Sequence, residues 1–209
     1  MENRKQNGIV LIMARSRVYV SRLFAILILT LAVVTGHSFG QDNPLDVLFE
    51  MTGLFLLTIC SMGRLWALLY ISGNKSNELI TDGPYSVVRH PLYLFSLIGA
   101  IGIGLVSENL LILALIVVFY VMYYPFTILA EEKKLEGAFG EAYIEYKCKT
   151  PRFFPKLSLY KSPDLYTVKA DTFVRNFAGG MWFIWIYILF HIIEMIQDMG
   201  YVPVYWRIP

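Results

Sequence analysis

Eleven consecutive positions concentrate the chemistry of this chain: Gly83, Pro84, Tyr85, Ser86, Val87, Val88, Arg89, His90, Pro91, Leu92 and Tyr93 bring together a Gly-Pro turn, a cation, an imidazole and two phenols. Pro91 suits the first turn of a helix, where its missing N–H costs nothing. Free N–H groups at such a start can hold an anionic group. Arg89 and His90 can equally be interfacial anchors among lipid headgroups. A second run, Glu131, Glu132, Lys133, Lys134 and Leu135, leads to Phe139, Gly140, Tyr143 and Tyr146. Its adjacent acids are either a solvated helix start or a pair in which one carboxylate binds a ligand's ammonium while the other bonds a ribose or orients Arg89.

The elements that must position these runs are set by hydrophobicity. Of 209 residues, 56% are hydrophobic and 16% charged, with a mean hydropathy of +0.54, too apolar for a soluble domain of this length. A bilayer crossing takes roughly 20 apolar residues. Five stretches qualify: about Val18 to Thr35, Asp46 to Ile71, Pro91 to Val106, Leu110 to Leu129 and Gly179 to Ile196. Ser107, Glu108 and Asn109 separate the third from the fourth, which predicts a tight helical hairpin. Spacings of three and four among Leu135, Phe139, Ala142, Tyr143 and Tyr146 predict a further helix from about Glu131 to Lys147, ended by Pro151 and Pro155.

Lys and Arg are retained on the cytoplasmic side. Five lie at the N-terminal end (Arg4, Lys5, Arg15, Arg17, Arg22), two in Lys75 to Arg89 and nine in Lys133 to Arg175, whereas the loop His37 to Pro44 and the hairpin turn have none and the tail only Arg207. The pattern places the N-terminus in the cytoplasm, the C-terminus opposite, and both chemistry-bearing runs at the inner face. The first apolar stretch lacks a convincing cleavage site and reads as a retained helix. The fold expectation is therefore an all-α polytopic membrane protein, about five transmembrane helices with a cytoplasmic-face catalytic cap helix, forming one membrane-embedded domain over 1–209. Cys60 and Cys148 have neither the spacing nor the His partners of a metal site, and no metal is expected. Nothing points to nucleic acid.

Taken together, GPYxxxRHPxY, a hydrophobic hairpin and EExxLxxxFGxxYxxY resemble the isoprenylcysteine carboxyl methyltransferases and their phospholipid methyltransferase relatives. The resemblance covers a catalytic core of about 79–155, followed by the extra span at about 179–196. It implies S-adenosylmethionine as cofactor, held at the cytoplasmic face beneath the helix that follows the hairpin, and a lipid or lipid-linked acceptor, carboxyl or amine, arriving from the bilayer. It implies Leu79, Gly83, His90, Pro91 and Tyr93 along the cofactor pocket, with Glu131 and Glu132 on its amino-acid or ribose end. Arg89 and Glu132 become the catalytic pair, Arg89 orients an anionic acceptor, and Tyr143 and Tyr146 pack the cap. Where many family members have Gly two residues after the Tyr of the first motif, Phe95 stands here, bulk expected to narrow a channel or reshape an entrance. The chain also continues well past the motif.

Arg64 interrupts the second span. An intramembrane Arg costs at least ~2.5 kcal/mol, so it needs a partner, a route to the interface, or a role at the substrate headgroup. Gly99, Gly102 and Gly104 read as close helix contacts, Trp182, Trp185, Tyr201, Tyr205 and Trp206 as interfacial, His37 as an outer cap, and His191 as an interhelical hydrogen bond. Two other readings stay open: a membrane NADPH-dependent sterol-type reductase, with Lys147, Lys149 and Arg152 on nucleotide phosphates, and a non-enzymatic membrane subunit. Length and compact loops point to a bacterial inner membrane.

Overall fold

The computed structural model describes residues 19–37, 44–72, 78–201 and 206–208. Arg4, Lys5, Arg15, Arg17, Lys75, Tyr205 and the side chains of His37 and Trp206 lie outside the described residues. Helix α1 (Tyr19–Val34) leads into a short strand β1 (Thr35–His37), then α2 (Pro44–Ile71), a one-turn α3 (Pro84–Val87), α4 (Pro91–Val106), α5 (Leu110–Phe139), α6 (Glu141–Lys149), α7 (Ala170–Asp198) and strand β2 (Trp206–Ile208). The two strands pair in parallel, Thr35 opposite Trp206. They are the sole departure from an all-α architecture among the described residues.

Among the described residues three helices, α2, α5 and α7, are long and apolar enough to cross a membrane. The two other apolar helices, α1 and α4, are shorter. At 16 residues, α4 spans roughly 24 Å at 1.5 Å per residue, short of a hydrocarbon core of about 30 Å. It packs against α2, α5 and α7. Gly53 on α2 and Gly102 on α4 bring the two backbones together: a Cβ at Gly102 would stand 3.0 Å from the Gly53 carbonyl oxygen. One at Gly99 would meet Cys60 Sγ at 2.4 Å, and one at Gly104 would meet Leu113 on α5. The small residues are where the helices touch, as TM helices require when no hydrophobic driving force separates helix from lipid.

The hairpin turn is built as its residues suggest. Ser107 donates to the Gly104 carbonyl at 2.7 Å, and the Asn109 carboxamide accepts from the amides of Leu111 and Ile112 at 3.0 and 3.2 Å, capping α5. The separate cap helix expected over Glu131 to Lys147 is corrected. No proline follows the apolar run before Pro151, and α5, 30 residues in all, runs through both acids, both lysines and Gly137 to Phe139. Gly140, with φ of +54°, then turns the chain and α6 begins at Glu141. The last helix also starts earlier than expected, at Ala170 rather than Gly179.

An apolar core of Ile28, Ala32, Leu57, Ile103, Ile112, Ile116 and Phe190 joins α1, α2, α4, α5 and α7. A smaller one, of Ala67, Tyr70 and Tyr85, lies where α2 ends and α4 begins. There the segment after α6 runs back along the Gly-Pro loop as a strap: the Gly83 amide donates to the Lys161 carbonyl at 2.7 Å, Arg89 to Pro151 at 2.9 Å, and Lys156 to Val87 at 3.0 Å. The Tyr166 hydroxyl donates to the Leu69 carbonyl, and its ring lies 4.4 Å from that of Tyr70.

Candidate active site

At this end of the bundle the two sequence motifs meet. The His90–Pro91 start of α4 faces the polar end of α5, and between them lies a cavity of about 950 Å³. Leu79, Arg89, His90, Pro91, Tyr93 and Glu131 line it, as does Arg64. Gly83 and Glu132 do not.

Each exception has a structural reason. Gly83 has φ of +60°, and a Cβ there would stand 2.3 Å from the Tyr70 ring. It shapes the loop that aims Arg89 and His90 from a position packed against α2. Glu132, one residue on from the cavity-lining Glu131, points the other way and is 3% exposed. Its Oε1 accepts from Arg89 at 2.7 Å and lies 3.2 Å from His90 Nε2, while Oε2 accepts from Arg152 at 2.5 Å. One buried carboxylate thus ties the loop, the N-cap of α4 and the strap to α5. Arg152 enters this cluster as a counter-charge to Glu132 rather than as a nucleotide-phosphate contact; it lies just past Tyr146, outside the spacing of either motif, and nothing local marks it.

Tyr143 and Tyr146 of α6 close the cluster from outside. Tyr146 donates to the Tyr85 carbonyl at 2.7 Å. Burial, reinforced by the Glu132 carboxylate, pushes the Tyr143 phenol up to about 12, so it stays neutral beside Arg89. Burial likewise raises Tyr85, with Glu131 adding to the shift.

Arg64 has found partners. Nη1 donates to Ser96 Oγ at 2.5 Å, Nη2 to the Gly179 carbonyl at 3.2 Å, and the guanidinium carbon lies 5.5 Å from the Phe183 ring centroid. The expectation for Phe95 is corrected: it lines no described cavity and packs on Gly63, where a Cβ would stand 2.2 Å from its ring. The glycine on α2 absorbs the bulk that α4 lacks room for. His191 is corrected too. Its Nδ1 lies 3.3 Å from Glu194 of its own helix, on a largely exposed face.

The phospholipid methyltransferase family pattern matches residues 51–142, the segment from α2 to the start of α6. The protein therefore carries a membrane-embedded, S-adenosylmethionine-dependent methyltransferase-type domain, and S-adenosylmethionine is the cofactor this membership brings. Over nearly its whole length the chain is similar to the nickel-cobalt-cadmium resistance protein NccN of Alcaligenes xylosoxydans xylosoxydans, 35% identical over 94% of this chain and 92% of the relative. It is similar also to the cobalt-zinc-cadmium resistance protein CzcN of Cupriavidus metallidurans, 36% identical over 90% and 86%. It belongs to the family of these two proteins. A protein-S-isoprenylcysteine O-methyltransferase of Schizosaccharomyces pombe matches a shorter stretch, 34% identical over 39% of this chain and 35% of that one.

The cavity fits the cofactor. Its lining includes two buried hydroxyls, Tyr85 Oη and Thr127 Oγ1, with no hydrogen-bond partner among the described residues, and the α4 N-terminus, which none of their side chains caps. Unmet donors and acceptors of this kind suit a ligand rich in hydroxyl, amine and carboxylate groups.

Proposed function

We propose that this protein transfers a methyl group from S-adenosylmethionine to a lipid or lipid-linked acceptor, a carboxyl or an amine, at the cytoplasmic face of a bacterial inner membrane. The observation that carries the reading is that the polar cavity adjoins a second, apolar cavity of about 720 Å³, the two sharing Ser21, Ala25, Arg64, Ser96, Tyr124 and Trp182. An acceptor with a hydrocarbon tail can reach such a site without leaving the bilayer, which would cost ~0.8 kcal/mol per CH₂ exposed. The charge pattern supports five spans, α1 and α4 included, with the N-terminus in the cytoplasm.

When bound, S-adenosylmethionine supplies a methyl group activated on a sulfonium. Leu79, His90, Pro91 and Tyr93 hold it, and Glu131, the acid that faces the cavity, takes its ammonium or ribose. Glu132 is a positioning residue, holding Arg89 and His90 in place from behind; Gly83 sets the loop that carries them. Arg89 and Arg64 draw the acceptor in. The residues need only bring nucleophile and methyl into line at near-contact distance, the source of much of the rate enhancement in such transfers.

The names of NccN and CzcN extend the reading to its setting, in which the methylated lipid alters the membrane of a cell resisting divalent metals. The test is transfer of labelled methyl from S-adenosylmethionine into solvent-extractable lipid by purified protein in nanodiscs made from bacterial lipid. Labelled lipid that disappears with Glu131→Gln is the expected result. Well-folded protein that neither binds the cofactor nor labels lipid would overturn the proposal.

A further inference from the structure

The apolar cavity has a feature that restricts what fills it. Its walls come from α1, α4, α5 and α7, with Phe24, Ile28, Ile116, Phe119 and Phe190 among them, and the charged group they surround is Arg64 at the neck. Among the described residues no carboxylate pairs with Arg64. Its partners are a hydroxyl, a backbone carbonyl and an aromatic face, and its buried Nε has none. A full positive charge is thus held inside apolar helices by neutral groups, with a donor to spare, at the passage between the two cavities.

This arrangement selects between the two kinds of acceptor. An amine arrives as an ammonium, which Arg64 at the neck would repel before it reached Glu78 or Glu131 on the wall of the polar cavity, and it must lose a proton to a base before it can attack. A carboxylate arrives ionised, needs no base, and matches the guanidinium fork. The chamber's volume lies within the roughly 300–1,000 Å³ usual for a small-molecule site. Its far wall is α7, which lies beyond the matched domain at 51–142 and within the reach of the likeness to NccN and CzcN.

We infer that the acceptor is a long-chain lipid carboxylate whose chain occupies the chamber completed by α7 and whose carboxylate binds Arg64. The inference rests on the methyl-transfer reading of the same site. In the reaction an acceptor oxygen bonds to the methyl carbon as the carbon–sulfur bond breaks; the electron pair stays on sulfur, leaving a neutral thioether and a methyl ester, and no proton moves.

Trp182 borders the neck and reports occupancy without any reaction. Detergent-purified protein is titrated with a dibrominated stearate, whose bromines quench tryptophan on contact, and in parallel with the dibrominated alcohol and amine of the same chain. The stearate should quench saturably. Arg64→Gln should weaken it by about tenfold, the loss of one charge-assisted bond, while Arg64→Lys retains most of it and replacing both tryptophans that line the chamber, Trp182→Phe with Trp185→Phe, removes most of the signal. Unsaturable quenching, or equal quenching by acid, alcohol and amine, shows bulk contact with the outer face of α7 and overturns the inference. So does an Arg64→Gln protein that elutes as wild type and binds stearate undiminished; if that variant misfolds, the headgroup comparison on wild type decides. Stearate binding that depends on Arg64 in protein that does not bind S-adenosylmethionine keeps the chamber and removes the methyl-transfer reading.

Discussion

Glu131 and Glu132 are chemically identical neighbours that the fold uses in opposite ways, and the difference is measurable. Glu132 is 3% exposed and pairs with Arg89 at 2.7 Å and Arg152 at 2.5 Å, with His90 at 3.2 Å. Glu132→Gln keeps the shape and removes the charge, leaving a guanidinium that is 11% exposed without its counter-ion. Removing one partner of a buried pair costs about 3–5 kcal/mol. The Arg152 side chain, 35% exposed, can turn to water, so its share is screened and the lower end applies, about 3 kcal/mol. For a chain of this size that corresponds to a fall of roughly 6–12 °C in melting temperature. Glu131→Gln removes a charge that faces a cavity and should leave the melting temperature within about 2 °C, as changes that break no buried pair do. Thermal unfolding in detergent, followed by intrinsic fluorescence, reads both. The Arg89→Gln, Glu132→Gln double variant should be less destabilised than the singles sum to, by about 0.5–3 kcal/mol. S-adenosylmethionine binding should fail in both single variants, in one because a contact is lost and in the other because Arg89 and His90 are released. Equal melting temperatures for Glu131→Gln and Glu132→Gln would refute the division of roles.

Three further outcomes follow from the geometry. Gly83→Ala places a Cβ at positive φ against Tyr70 and should cost about 1–3 kcal/mol in the same melting assay. Gly102→Val drives a branched side chain into the Gly53 carbonyl across the α2–α4 contact and should lower stability by about 1–3 kcal/mol, while Gly137→Ala, in open space on α5, should be neutral or slightly stabilising. Tyr143 has its phenol raised to about 12 in the folded protein, against about 10 in an unfolded chain, so the folded state keeps a proton that the unfolded state loses. Its contribution is complete below pH ~10 and is lost as pH rises toward ~12; Tyr143→Phe should flatten that part of a melting-temperature profile.

The parts of the fold legible in the sequence are those with a local cause. Apolar runs gave the helices, Asn109 and Ser107 the hairpin turn, and the small residues of α4 its tight contacts. The boundary expected at Glu131 differs for a physical reason: the change from apolar to charged residues marks where the helix leaves the apolar region, not where it ends, and α5 runs on through Gly137 until the chain turns at the positive φ of Gly140. In the site, the motif residues converge around one cavity, yet sequence spacing cannot say which of two adjacent acids turns inward. That choice depends on Arg89 and Arg152 approaching from elements 43 and 20 residues away. Arg152 itself was invisible because its role exists only once the strap has folded back. Phe95 shows the same limit, since the space for its ring is made by Gly63 on another helix.

The cluster at Glu132 and the neck at Arg64 are two solutions to one electrostatic problem. Arg89 is buried with its counter-charge built in, so it is fixed whether or not anything is bound. Arg64 is half-buried and, among the described residues, has neutral partners alone, held by Ser96 and the Gly179 carbonyl in a position where an incoming anion completes it. A guanidinium set among apolar helices without an anion is costly, and the cost falls when an anionic ligand arrives, so the energetics favour occupancy by one sign of charge. The Gly179 contact matters for this, because it comes from α7. A change in the tilt of α7 would move a partner of Arg64 and the far wall of the chamber together, coupling the fit of the hydrocarbon chain to the readiness of the cation that meets its headgroup.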